Sequence, residues 1–151
     1  MDTIPSDWLA TWDYLKHVGL AFILTASIGW ERERDSHGAG LRTFPIVGMA
    51  SCGYLMLLGF QPASDALSRL LQGLITGIGF VGGGAILKEG NVVKGTATAA
   101  SIWNAGVIGA AIAMNKYAVA LILTLLNLLV MRGLLPLKRW IDQRHPNRAN
   151  Y

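Results

Sequence analysis

The sequence predicts an all-α polytopic membrane protein with about five transmembrane helices, its N-terminus outside and its C-terminus cytoplasmic. Three observations predict it. Hydrophobic residues make up 52% of the 151-residue chain and charged residues only 15%, against about 25% charged in an ordinary soluble domain. The apolar residues fall into five long runs, with the charges confined to short gaps between them. Glycine is abundant, at 18 residues, as it is in membrane helices.

A membrane helix needs about 20 mostly apolar residues. Helices are expected near residues 15–30, 43–60, 70–87, 96–115 and 117–137, with a basic cytoplasmic tail over 138–151, all in a single membrane domain 1–151. The first run, Val18 to Trp30, gains length by extending back through His17, Lys16 and Leu15, whose polar tips snorkel to the interface. The second, third and fourth contain no Asp, Glu, Lys or Arg; such a charge at a helix centre costs about 2.5–3.5 kcal/mol on insertion. Residues 1–15 lack Lys and Arg, so the positive region of a cleavable signal is missing. With Asp2, Asp7 and Asp13 between Trp8, Trp12 and Tyr14, they read as an acidic interfacial segment.

Orientation follows from the basic residues. With five helices, one side carries Arg32, Arg34, Arg42, Lys88, Lys94, Arg132, Lys138, Arg139, Arg144 and Arg148. The other carries Lys16, Arg69 and Lys116. Ten against three makes the rich side cytoplasmic. The net charge of +4 is thereby explained by topology, so no nucleic-acid partner is expected. The expected partners are the lipid bilayer and either a second copy or another membrane protein.

Small residues let membrane helices approach closely. Ala97, Ser101, Ala105, Gly109 and Ala113 make one small ridge along helix 4, and Ala21, Thr25 and Gly29 make another on helix 1. Helix 3 carries the pairs Gly73/Gly77 and Gly79/Gly83. Helices 1, 3 and 4 are therefore expected to form the tight centre, with Leu-rich helix 5 peripheral and its Asn127 a polar interhelical contact.

Two cytoplasmic gaps hold the candidate functional residues. From Glu31 to Arg42, six charges crowd into 12 residues: Glu31, Arg32, Glu33, Arg34, Asp35 and Arg42. On a continued helix, Glu31/Arg34 and Arg32/Asp35 are spaced to neutralise each other. The bland reading of this gap is a solvated, orientation-setting loop. The second gap, Gly77 to Thr96, is glycine-rich but lacks the GxxxxGK[ST] pattern of a phosphate loop. Its Gly82, Gly83 and Gly84 point to packing or a helix distortion. Each gap ends with Arg or Lys shortly before a Thr that opens the next helix, a loose parallel repeat.

Cys52 is the only cysteine, and His17, His37 and His145 are scattered, so no disulfide within the chain and no zinc spacing exists. Glu33 near His37 is the one titratable pair of note. No nucleophile–base pair or cofactor loop is present, so neither an enzyme, a cofactor nor a bound metal is expected.

The two gaps together carry a resemblance. Gly29-x-Glu31-Arg32-Glu33, Ala39-Gly40-Leu41-Arg42-Thr43, Gly77-Ile78-Gly79-Phe80 with Gly82 and Gly84, Lys88-Glu89-Gly90, Gly95, Thr98-Ala99-Ala100 and Trp103, followed by Asn104, run in the order found in the MgtC/SapB family of bacterial membrane proteins. The chain resembles the membrane domain of that family, without the soluble ACT-like C-terminal domain of full-length members. It differs at Phe44 and at Thr96-Ala97, where the family often has other residues. The resemblance implies an inner-membrane protein linked to magnesium limitation and, in pathogens, to survival inside host cells. Two functions are weighed: a membrane-embedded regulator acting through helix packing and the cytoplasmic Glu/Arg loop, and an oligomeric transporter or channel for Mg2+ or another cation. Mg2+ sites favour carboxylates, and helices 2–4 have none.

Overall fold

A computed structural model describes residues 5–35, 39–59, 65–90 and 92–134. Among these described residues five helices follow in order: α1 (Pro5–Asp35), α2 (Thr43–Leu57), α3 (Asp65–Gly84), α4 (Thr96–Ala113) and α5 (Tyr117–Gly133). A short antiparallel hairpin, β1 (Leu87–Glu89) with β2 (Val92–Lys94), joins α3 to α4. Residues 135–137 of the expected fifth helix and the tail over 138–151 lie outside the described residues.

α1 is 31 residues long, about 46 Å at the helical rise, and overruns the expected 15–30 at both ends. Pro5 opens it, where a missing N–H costs nothing. At the far end Arg32 and Arg34 fall in the last turn, where cations complement the helix dipole. What reads as an interfacial segment and a charged loop is therefore the two ends of one helix.

α2 carries Pro45 in its first turn, again without losing a helical hydrogen bond, and gives way to Gly59 at φ 66°. α3 ends at its three glycines, where the sequence points to packing or a distortion. It runs through them to Gly84 and closes with hydrogen bonds from Ala85 N to Gly82 O (3.0 Å) and Ile86 N to Gly83 O (3.1 Å). The expected helical end near 87 is corrected: Leu87 already pairs with Lys94 in the hairpin. Valines suit a strand, Gly90 supplies the turn at φ 61°, and Gly95 leads into α4 at φ 87°. A Cβ on Gly95 would overlap the Ala85 carbonyl oxygen.

The centre consists of α1, α2 and α4, which corrects the expectation of helices 1, 3 and 4. These three helices approach closely at Gly48 of α2. A Cβ there would lie 2.6 Å from the Thr25 methyl of α1, and a Cβ on Gly109 of α4 would overlap the Gly48 carbonyl oxygen. Ala21, Ile28, Phe44, Cys52, Ile102, Ala105, Ile108 and Ile112 fill the space around this contact. Ser101, Ala105 and Gly109, the middle of the α4 ridge, are all buried. α3 packs on the outer side of α4, with Ile78 set against Gly106, Gly82 set against the Ala99 backbone and Leu74 at the edge of the core. Gly73, Gly77, Gly79 and Gly83 face open space, with nothing within 4 Å of where a Cβ would stand. A small-residue pair tightens a contact only where a second backbone arrives, and within this chain α2 takes that place.

The outer surface is apolar. Ile46, Leu57, Phe80, Leu121, Ile122, Leu125 and Leu129 are exposed. Among the described residues, Thr96–Ala113 is the one helix long and apolar enough to cross a membrane by itself; Thr43–Leu57 and Tyr117–Gly133 are shorter apolar helices.

Candidate functional site

The C-terminal ends of α1, α3 and α5 meet the N-terminal ends of α2 and α4, so both motif-bearing connections lie at one end of the bundle. Here the α1 charges turn inward. Glu31 is 7% exposed, and its carboxylate accepts from the Arg132 guanidinium of α5 at 2.7 Å. The expected pairing of Glu31 with Arg34 is therefore replaced by a bond between helices. Arg32 donates from Nη2 to the Thr98 hydroxyl at 2.6 Å, crossing from α1 to the first turn of α4. The Asp35 side chain and His37 lie outside the described residues.

Glu33 makes a third link. Its carboxylate accepts the Leu41 backbone N–H at 3.0 Å, and a Cβ on Gly40 would overlap that carboxylate. Gly29 is equally confined, since a Cβ there would sit 3.0 Å from the Gly40 carbonyl oxygen and 3.2 Å from the Phe44 Cβ. The two motif glycines thus let the chain fold back on α1, and Glu33 holds the returning strand at its amide. Thr43 opens α2, half-buried, while Arg34 and Arg42 are exposed.

On the hairpin, Lys88 is exposed and Lys94 binds Glu89 at 2.7 Å. That hydrogen bond, with the Lys94 charge, holds the Glu89 carboxyl below its ordinary range. Of the remaining motif residues, Gly82 contacts α4, Gly79 and Gly84 do not meet a neighbour, and Trp103 is exposed beside α3. Asn104 donates to the Leu123 carbonyl at 3.3 Å and Ser101 donates to Asn127 Oδ1 at 3.1 Å, tying α4 to α5.

Two groups escape sequence reasoning. Arg132 reads as part of a basic tail, yet it is the partner of Glu31; its signal is that it alone interrupts the last apolar run. The second group lies at the opposite end of the bundle. Buried His17 donates from Nδ1 to the Asp13 carbonyl at 2.8 Å, while its Nε2 stands 2.9 Å from both Asn115 Oδ1 and the Tyr117 hydroxyl. The Tyr117 hydroxyl also donates to Asn115 Oδ1 at 2.7 Å. Asn115 holds φ 56°, a left-handed conformation that Asn tolerates better than most residues. This cluster pins α1 to the α4–α5 turn. Between it and the Glu31 layer, about 21 Å along α1, no Asp, Glu, Lys, Arg or His among the described residues is buried in the core. The buried hydroxyls of Thr25, Ser51 and Thr124 bond back to carbonyls of their own helices.

Among the described residues no group of three or more His, Cys, Asp or Glu could hold a metal ion. The arrangement defines an all-helical protein with an apolar exterior and a polar lock at each end. The model of the MgtC family matches residues 18–140, and the chain belongs to that family. It is similar to protein SrpB of Synechococcus elongatus, 36% identical over 141 residues, covering 82% of this chain and 77% of that protein. It is 33% identical over 129 residues to the putative magnesium transporter YhiD of Escherichia coli, covering 80% of this chain and 60% of that one. It is also 33% identical over 115 residues to protein MgtC of Salmonella typhimurium, of which it spans 49%. The chain thus spans between half and about three quarters of the length of these relatives. No solved structure matches.

Proposed function

We propose that this protein is a multi-pass component of the bacterial inner membrane, N-terminus outside and tail inside, that regulates magnesium homeostasis through protein–protein contact rather than by conducting the ion. Membrane embedding is supported by the apolar exterior and by α1. Trp12 and Trp30, both exposed, stand about 27 Å apart along α1, close to the roughly 30 Å between interfacial aromatic belts. The described cations gather at the end bearing Glu31, with Lys16, Arg69 and Lys116 at the other, the asymmetry of a cytoplasmic face.

The observation that carries the regulatory reading is the engagement of the motif charges. Glu31, Arg32 and Glu33 are all held by groups of this chain, and the buried hydroxyls between the two polar layers are bonded within the chain too, those of Thr25, Ser51 and Thr124 to backbone and that of Ser101 to Asn127. An ion pathway ordinarily shows ionisable groups at depth. What remains for a partner is the exposed Arg34, Arg42, Lys88 and hairpin, held in register by the lock beneath them. The link to magnesium comes from family membership and from the name of the relative YhiD.

That name also favours a second reading, a cation transporter assembled from several copies. Mg2+ flux into proteoliposomes separates the two. No flux above empty vesicles, together with a defined membrane partner crosslinked through position 34 or 42 in native membranes, is expected. Saturable flux abolished by substitutions in the bundle would replace regulation with transport.

A further inference from the structure

α2 and α3 diverge from their contact near Ile78, leaving a groove of about 500 Å³ between them. Its walls are apolar, with Ile46, Ala50, Leu70 and Leu74 among them, and Gly73 and Gly77 line it on the α3 side. Open space stands where a Cβ on either glycine would project. The sequence marks these glycines as helix-packing residues, but no helix of this chain lies on them.

Among the described residues lining the groove, Arg69 carries the one formal charge, and Tyr54 of α2 adds a hydroxyl-bearing ring. Among the described residues Arg69 forms no hydrogen bond or ion pair. The α3 lining runs from Arg69 to Val81, about 18 Å at the helical rise. One leaflet of a bilayer has a hydrocarbon depth of about 15 Å, half of the roughly 30 Å core. A cation at headgroup level above an apolar furrow one leaflet deep has the charge and length of a single anionic lipid.

We propose that the α2–α3 groove is a binding site for an anionic phospholipid, with the phosphate on Arg69 and one acyl chain laid over Gly73 and Gly77. This rests on the membrane-embedded reading above, which puts Arg69 at the outer leaflet. The glycines then act as the flat bed of a lipid furrow.

The test is native mass spectrometry of the full chain released from detergent micelles, titrated with phosphatidylglycerol or phosphatidylcholine. One phosphatidylglycerol should be retained in preference to phosphatidylcholine. Arg69→Gln should weaken that retention about tenfold, the loss of one charge-assisted contact, whereas Lys116→Gln, at the same end but outside the groove, should not. Gly77→Leu, which fills the furrow, should remove both lipids while leaving the circular dichroism melt intact. Equal retention by wild type and Arg69→Gln, or no preference for phosphatidylglycerol, overturns the site. A lipid-free dimer dissociated by Gly77→Leu also overturns it, by making a second copy the occupant. Reconstitution into vesicles keeps the two readings apart: a chain that fails to float with vesicles removes the membrane reading, whereas one that inserts but ignores Arg69→Gln removes the lipid site alone.

Discussion

Glu31 of α1 and Arg132 of α5 are joined at 2.7 Å, with the carboxylate nearly buried and much of the guanidinium exposed. The bond links the middle of the first motif to the end of the last helix, so α5 is held to the bundle by a charge as well as by packing. Removing either partner has unequal consequences. Arg132→Ala strands a buried carboxylate and should destabilise the bundle by about 1–3 kcal/mol, whereas Glu31→Gln, which keeps an acceptor, should cost less. The double variant should recover part of the Arg132→Ala loss. Thermal unfolding in detergent measures all three, and equal, additive losses would show that the pair is not coupled.

The glycines separate into two classes that the same method distinguishes. Gly109→Ala places a Cβ on the Gly48 carbonyl oxygen and should cost about 1–3 kcal/mol through overpacking. Gly73→Ala meets open space and should instead gain up to about 0.5–1 kcal/mol from helix propensity. A destabilising Gly73→Ala would mean that a partner helix covers that face.

The Glu33 clamp predicts a local effect. Glu33→Ala should release the Leu41 amide, speeding its hydrogen exchange about fivefold for a bond worth about 1 kcal/mol, while Glu33→Gln retains an acceptor and most of the protection. Gly40→Ala should act like Glu33→Ala, because the new methyl displaces the carboxylate. Unchanged exchange at Leu41 in Glu33→Ala would remove the clamp.

At the opposite end, Asn115 has both a backbone and a side-chain role. Asn115→Gly keeps the left-handed φ but loses the contacts to His17 and Tyr117, so it isolates the side-chain contribution. Asn115→Ala adds left-handed strain and should be less stable than the glycine variant by about 1 kcal/mol. Tyr117→Phe should cost about 1 kcal/mol for its lost hydroxyl bonds. Identical melting of Asn115→Gly and Asn115→Ala would contradict the assigned turn.

Much of the helical layout is legible in the chain itself. The uncharged run from Thr43 to Phe60 reads as one helix, and α2 begins where it does and ends three residues short of it, at Leu57. The α4 ridge is similarly readable, because Ser101, Ala105 and Gly109 repeat at the spacing of one helix face. The hairpin is not, because Leu87 and the two valines look like the fringe of apolar helices and the cross-strand pairing that makes them strands joins residues from both sides of Gly90. Nor is the choice of α2 over α3 for the centre. Gly48 is a single glycine with no partner at helical spacing, whereas α3 advertises two pairs and uses neither within the chain.

The sequence by itself determined that the chain is helical and apolar, where its charges gather, and which two connections carry the family motifs, because hydropathy and motif spacing are local properties along one chain. Tertiary structure alone decided that Glu31 finds Arg132 rather than Arg34, that Arg32 reaches Thr98, and that His17 meets Asn115 and Tyr117. Each of these bonds joins residues far apart in sequence. A hydrogen bond forms only where packing brings its two groups to within about 3 Å, and here that packing depends on how closely the backbones approach at Gly48 and Gly109.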